Sequence, residues 1–276
     1  MHTMNALPSV WDCHTHIFGP WATFPLPDNP TYVPEEAPFG MLRELHAHMG
    51  VTRGVIVQAA ACGSDHRALL AAMAASKGAY RGIAAIEPDI EESVLQSWHA
   101  QGIRGIRLSL MPHLKGNLDL GRLRAMMARV LPLGWHALVH GEIQTIAPML
   151  PDLHATGLTL VIDHMARGQA SEMDGANKQA TSTVLAHLQD PAVWIKLSGA
   201  DRISAGKRPF ADSLPVMRRF LAAAPERAIW GTDWPHVNLH GDTPDTASLL
   251  DLVIEACGDA QSVEAVLSRN PAVLYA

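Results

Sequence analysis

Five side chains in this sequence could move a proton, hold a metal ion or stabilise a developing negative charge: His14, His16, His140, His164 and Asp233. Imidazole and carboxylate are the donors that hold a zinc-like ion. Without metal, the same groups can activate water and polarise a carbonyl. The first two lie in the strand-like stretch Trp11-Asp12-Cys13-His14-Thr15-His16-Ile17-Phe18. Side chains two apart on a strand project from the same face. His140, His164 and Asp233 end three later strand-like runs. One histidine at a strand end is commonly structural. Four histidines and an aspartate at the ends of four different strands are hard to assign to packing.

Such a set needs an architecture that gathers strand ends. Eight short apolar runs alternate with segments of helical period: Val10–Phe18, Arg53–Ala60, Arg81–Glu87, Gly105–Leu110, His136–Glu142, Thr159–Met165, Val193–Ser198 and Ala228–Trp234. Near-continuous apolar runs suit strands covered on both faces, as in a parallel sheet. The intervening helices are expected over Met41–Met49, Asp65–Ser76, Glu91–His99, Leu120–Val130, Ile143–Ala155, Lys178–Leu188, Ser213–Ala223 and Thr246–Ala256. Asp65, Asp89 and Asp245 could start helices as caps. The alternation predicts an α/β fold, a (β/α)8 TIM-type barrel over 1–276 as one domain. A doubly wound open sheet is the rival, but no GxGxxG or GxxxxGK[ST] phosphate loop is present.

A barrel enzyme carries its site at the C-terminal ends of the strands. The polar residues placed there include Gln58, Cys62 and Ser64 after strand two, Arg107 and Ser109 on strand four, and Glu142 after strand five. Asp163 follows on strand six, Lys196 and Ser198 on strand seven, and Thr232 and His236 on strand eight. Cys13 alternates with the histidines and reads as a small core residue. His46, His48, His99 and His187 fall on helices and read as solvated or packed. Two stretches break the rhythm. Gly19 to Pro38 carries the Gly19-Pro20 pair, five further prolines and the aromatics Trp21, Phe24 and Tyr32. Ser198 to Asp212 carries Asp201, Arg202, Lys207 and Arg208. Long loops in a compact domain are usually functional.

Bulk composition narrows the function classes. The chain has 276 residues, 48% hydrophobic and 17% charged, which suits a globular protein with a large core. The net charge of −6, with no block of like charge, argues against a nucleic-acid or anionic-membrane role. It leaves an anionic small-molecule substrate open, because a few arginines in a cleft dominate the local field. No apolar run approaches the ~20 residues of a membrane helix. The first ten residues show no export signal, and three cysteines without paired spacing suit a reducing, cytoplasmic compartment. A monomer and a homo-oligomer both remain open.

The motifs carry a resemblance over essentially the whole chain. Asp12-Cys-His-Thr-His16 with Phe18-Gly-Pro20, Val57-Gln58-Ala59, Arg104-Gly-Ile-Arg107, Val161-Ile-Asp-His164-Met-Ala-Arg167, Trp230-Gly-Thr-Asp-Trp-Pro-His236 and Asn270-Pro-Ala-Val-Leu-Tyr275 resemble the amidohydrolase superfamily. Within it they are most similar to the 2-pyrone-4,6-dicarboxylate lactonase group. The resemblance implies a distorted (β/α)8 barrel and hydrolysis of a carboxylate-bearing lactone in aromatic compound degradation. It places the general base on Asp233 and the carbonyl-polarising histidines on His14, His16 and His164. It places the substrate-gripping arginines on Arg107, Arg167 and Arg202, and a substrate-contacting tyrosine on Tyr32.

Two positions depart from the group's pattern. His113 stands where the lactonase has a second strand-four arginine, and His140 stands where it has a tyrosine. His140 restores the fourth histidine of metal-binding relatives. One zinc-like divalent ion held by His14, His16, His140, His164 and Asp233 is therefore as open as a metal-free site. No lysine ends strand four, which argues against a two-metal centre bridged by a carbamylated lysine. A sulfonated or sugar-acid lactone is an alternative substrate. Metal-dependent decarboxylation of an aromatic or unsaturated acid is an alternative reaction. A binding barrel without catalysis is disfavoured by the intact Asp233 and strand-one histidine pair.

Overall fold

The computed structural model describes residues 7–114, 116, 119–205, 208–239 and 243–276. Eight parallel strands run in chain order around one sheet, β1-β2-β3-β4-β5-β6-β7-β8. They are β1 Trp11–Thr15, β2 Arg53–Val57, β3 Tyr80–Ala84, β4 Ile103–Ser109, β5 His136–His140, β6 Leu160–Ile162, β7 Val193–Lys196 and β8 Ala228–Ile229. The helices between them are α1 Phe39–Met49, α2 Arg67–Ala75, α3 Glu92–Gln101, α4 Leu120–Val130, α5 Ile143–His154, α6 Lys178–His187, the short α7 Ala200–Ile203 and α8 Leu214–Ala223. After β8 come α9 Thr246–Cys257 and two further short helices, α10 Ala260–Glu264 and α11 Asn270–Leu274. The ring closes just beyond β8, where Cys13 N–H donates to Trp230 O at 2.8 Å and His16 N–H to Trp234 O at 2.9 Å. The fold is the (β/α)8 barrel that the alternating pattern predicts.

The near-continuous apolar runs now have a physical reason. One face of each strand packs on the helices, and the other fills the lumen. Ala137, Val139, Leu160, Ile162, Val193 and Ile195 join a cluster with Leu150, Val184 and Phe220 of the helices. Val55, Val57, Ile83, Leu138, Val161, Trp194 and Ile229 belong to a separate cluster with Trp11, Cys13 and Tyr275. That second set draws on seven strands, so it is the lumen. Cys13 is buried in the lumen, the small core residue that the sequence suggests.

The strands are shorter at their C-terminal ends than the apolar runs. β6 stops at Ile162 rather than Met165, and β8 at Ile229 rather than Trp234. The residues beyond them take backbone angles that no ladder accommodates. His164, Met165, Ala166 and Arg167 all have positive φ, from 46° to 57°, and Asp233 has φ 62°. Left-handed angles cost a non-glycine residue roughly 1–2 kcal/mol each, so these turns stand only because their surroundings hold them. Asp245 caps α9 through the Ser248 N–H, as expected. Asp89 does not cap: Glu91 occupies the position before α3, without a side-chain cap bond.

Candidate active site

Strand alternation explains which polar groups meet. Two residues past lumen-facing Leu138, Val161 and Trp194 stand His140, Asp163 and Lys196. They inherit the lumen face where the apolar filling ends. β1 reaches the same level through a register shift between Asp12 and Thr15. Below the shift Asp12 meets His46 of α1; above it His14 meets Asp163 of the β6 end. The shift thus re-aims the strand between its first carboxylate and its first histidine.

Asp233 is the focus. Its Oδ1 lies 3.6 Å from His14 Nε2, 3.6 Å from His16 Nε2 and 3.8 Å from His164 Nε2. All four groups are buried. Burial opposes the charge on Asp233, but His164, Arg202, His16 and His14 together hold its carboxyl well below the usual carboxylate range. Burial pushes the imidazoles the other way. His14 and His140 are driven well below the usual histidine value, and His164 to about 4. At neutral pH an ionised Asp233 carboxylate faces the neutral imidazoles of His14 and His164.

The outer nitrogens of these rings are tied down. His16 Nδ1 donates to Val57 O at 2.8 Å, which leaves its Nε2 an acceptor in the neutral ring. His14 Nδ1 lies 3.1 Å from Asp163 Oδ1, and His164 Nδ1 bonds Ser198 Oγ at 2.9 Å. His14 Nε2 is buried with no hydrogen-bond partner. His14, His164 and Asp233 offer ligand atoms within 4.8 Å of one another. A tetrahedral ion with bonds of about 2.0–2.1 Å needs donors roughly 3.3 Å apart, close to the spacings seen here. The donor chemistry, the orphaned nitrogen and the pinned outer nitrogens all fit a metal ion.

Backbone contacts lock Asp233 to His14. Asp233 N–H donates to His14 O at 2.9 Å. The Asp12 carboxylate accepts from the N–H of His14 at 3.0 Å, the N–H of Thr232 at 2.9 Å, the Thr232 hydroxyl at 2.6 Å and His46 Nε2 at 3.1 Å. Gly231 makes this closeness possible. A Cβ there would sit 2.5 Å from His14 N and 2.6 Å from His14 Cβ.

The cleft above the carboxylate is lined by His16, Tyr32, Arg107, His113, His140, His164, Arg167, Arg202 and Asp233, with Leu114, Val237 and Asn238. Every residue singled out from the sequence as catalytic, substrate-binding or metal-holding is thus in the cleft or, for His14, beneath it. Their situations differ. Arg202, from α7, gives its Nε and Nη2 to Asp233 Oδ2 at 3.2 and 2.9 Å. It also donates to Val237 O and Asn238 O and pairs with Asp201 at 3.3 Å. Among the described residues Arg107 comes no nearer to a carboxylate than 3.9 Å, from Asp163 Oδ2. Burial, then Arg202, lowers the pKa of Arg167, for which no ion pair occurs among the described residues. His140 stands beside His164, ring centroids 5.5 Å apart, and both it and His16 lie outside the compact three-residue cluster.

Several residues near strand ends do other work. Gln58 Nε2 holds the β2 loop through Gly63 O and Asp65 O, and Ser64 O accepts from His66. Neither Cys62 nor Ser64 lines the cleft. His236 bonds Thr246 at the start of α9. Lys207 lies outside the described residues. Three contributors escaped the sequence reading. Asp163 and Lys196 were legible as strand-end polar residues but not as partners of His14. His46 looks like an ordinary helical histidine until α1 sets it beside Asp12.

Comparison with known proteins agrees with this geometry. The family described as Amidohydrolase matches residues 11–276. A Comamonas testosteroni protein named 2-pyrone-4,6-dicarboxylate hydrolase is 32% identical over 273 residues, covering 96% of this chain and 89% of the relative. A Hydrogenophaga intermedia protein named 4-sulfomuconolactone hydrolase is 30% identical, covering 99% and 92%. A solved Pseudomonas putida structure, described as a candidate 2-pyrone-4,6-dicarboxylic acid hydrolase, superposes with a TM-score of 0.85 at 29% identity, covering 97% of each chain. With a complete barrel, a histidine-ringed aspartate and a family match across nearly its whole length, the chain belongs to the amidohydrolase family.

Proposed function

We propose that this protein is a lactone hydrolase whose substrate carries carboxylate groups, 2-pyrone-4,6-dicarboxylate or a close analogue. The observation that carries the proposal is a buried, ionised Asp233 facing three imidazoles under a cleft with two guanidinium groups: Arg167, which has no ion pair among the described residues, and Arg107, whose one carboxylate partner among them is Asp163 at the long distance of 3.9 Å. The named activities of the relatives from Comamonas and Hydrogenophaga support the same chemistry.

Arg107 and Arg167 bind the anionic groups of the lactone, which fixes the ester carbonyl above Asp233. Guanidinium suits this task because its donors meet a carboxylate in pairs. His113 and Tyr32 complete the rim. Asp233 Oδ1 accepts the proton of the attacking water, while Arg202 holds Oδ2 and orients the carboxylate. Oxygen from water adds to the carbonyl carbon, and the ring C–O bond then breaks. Protonated Asp233 returns its proton to the departing ring oxygen. His14, His16 and His164 lie where the carbonyl oxygen gains charge.

One zinc-like divalent ion fits Nε2 of His14, His16 and His164 with Asp233 Oδ1, and His140 stands next to that set. When bound, such an ion polarises a carbonyl and lowers the pKa of water. The three unpaired cysteines suit a cytoplasmic setting, and among the described residues no helix is long and apolar enough to cross a membrane.

A sulfonated lactone is the second reading, favoured by the Hydrogenophaga relative. It also suits His113, which stands on the cleft rim in place of a fixed positive charge. The test is turnover of both lactones in water enriched in oxygen-18. Hydrolysis puts one heavy oxygen in the new carboxylate with no loss of carbon. Release of CO₂ instead would assign a decarboxylase.

A further inference from the structure

We propose that the flank of the barrel carries a second binding site, a cavity between α1 and the turn joining α2 to β3 that takes a small carboxylate with a flat apolar body. The cavity measures about 390 Å³, within the roughly 300–1,000 Å³ of small-molecule sites. It shares no lining residue with the cleft above Asp233, so an occupant leaves that cleft open.

Charge selects the head of the ligand. Arg43 of α1 and Lys77 of the turn both line the cavity. Both are exposed, and neither side chain has an ion pair or hydrogen bond among the described residues. None of the lining residues is acidic. The carboxylate behind the wall, Asp12, is already taken up by donors from His14, Thr232 and His46. Arg53 and Arg81 both donate to Gly78 O, one residue past Lys77, and add positive charge beside it. Two uncommitted cations facing one cavity favour an anion, and a guanidinium beside an ammonium suits a carboxylate.

The remaining walls select the body. Phe39, Val51 and Ala79 are apolar lining residues. The floor is aromatic: His46 stacks on Tyr80 with ring centroids 5.6 Å apart, and Phe39 meets Tyr80 edge-on at 5.2 Å. His46 and Tyr80 are buried, and the Tyr80 hydroxyl bonds His46 Nδ1 at 2.5 Å. His46 in turn is held by Asp12. The floor is therefore fixed before any ligand arrives, which lowers the cost of ordering it on binding.

The chain has three tyrosines, and each reports on a different place. Tyr80 lines this cavity, Tyr32 lines the cleft and Tyr275 is wholly buried. The test titrates benzoate into the full chain with tyrosine rings labelled for NMR, the Tyr80 signals being assigned by their absence in Tyr80→Phe. The Tyr80 signals should move and saturate, whatever Tyr32 does, while Tyr275 stays in place. The variant Arg43→Glu with Lys77→Glu, folded by circular dichroism, should weaken the Tyr80 response at least about tenfold, as expected for a lost charged contact. Uncharged benzyl alcohol should bind wild type more weakly by a similar factor, a comparison that needs no variant. Movement of Tyr32 alone would overturn the proposal, because benzoate would then bind only in the cleft. Equal Tyr80 responses to benzoate and benzyl alcohol, or an undiminished one in the folded variant, would overturn it too and leave an apolar crevice without preference for an anion.

Discussion

Arg202 and Asp233 form a two-point pair within the cleft: guanidinium Nε and Nη2 meet one oxygen of the carboxylate at 3.2 and 2.9 Å, and the other oxygen is left to the histidines. The arginine expected to bind substrate is thus already committed to Asp233. Arg202→Met should lower kcat at least tenfold at neutral pH. It should also move the acid limb of the pH profile upward. Arg202 helps hold the Asp233 pKa down, the base works only when ionised, and a raised pKa brings the loss of activity to a higher pH. A profile that keeps its acid limb in place would contradict this role.

Arg107 and Arg167 should behave differently. In the proposed reaction each meets a substrate anion rather than Asp233, so Arg107→Met or Arg167→Met should raise KM more than it lowers kcat. Loss of a charged hydrogen bond, about 1.5–3 kcal/mol, corresponds to roughly 10- to 150-fold. Steady-state kinetics on the lactone separates the two patterns. An unchanged KM in both variants would mean that the anion binds elsewhere.

Elemental analysis of the purified protein should find about one zinc-like ion per chain, and chelation should remove the activity. His16→Asn should lower the occupancy, since His16 Nε2 is left bare by the Val57 carbonyl bond. Full activity in a protein free of metal would leave the imidazoles as the sole polarising groups.

Thr232→Val should cost about 1–3 kcal/mol of stability, because it strips a 2.6 Å donor from the wholly buried Asp12 carboxylate. The same change loosens the turn that carries Asp233, so kcat should fall as well. Urea unfolding and kinetics on one preparation check both. Wild-type stability would show that the other three donors to Asp12 suffice.

Acid should begin to destabilise the fold well above the carboxylate range. Burial, with Lys196 nearby, lowers His136 to about 3, against about 6.5 in the unfolded chain. Between these values the unfolded chain binds the proton and the folded chain does not. Stability therefore falls as pH falls through this window, by up to about 1.4 kcal/mol per pH unit for each such histidine. Melting temperature measured from pH 8 to pH 4.5 should decline from near 6.5, and His136→Gln should make the slope shallower. A flat profile down to pH 4.5 would count against neutral buried histidines.

The barrel was legible because its strands are buried on both faces. Runs such as Leu160-Val161-Ile162 stay apolar without alternation, and the helices between them keep their own period. The ends of those runs misled, because burial continues where the ladder stops. Met165 and Ala166 are wholly buried yet lie in a left-handed turn, not in β6. The histidines and Asp233 were legible from residue type and place. Their wiring was not. That Asp12 links His46, Thr232 and His14, or that Lys196 lies under His14, depends on contacts across as many as 220 positions, and no local pattern encodes them.

The most direct measurement is the loss of pyrone ultraviolet absorbance when wild-type protein and Asp233→Asn are each mixed with 2-pyrone-4,6-dicarboxylate near pH 8. Rapid loss with wild type, a product heavier by one water, and a rate lower by about 10²- to 10⁴-fold in the variant are the predicted results for a lost general base. Turnover by Asp233→Asn at close to the wild-type rate would contradict the central claim that Asp233 takes the proton from water.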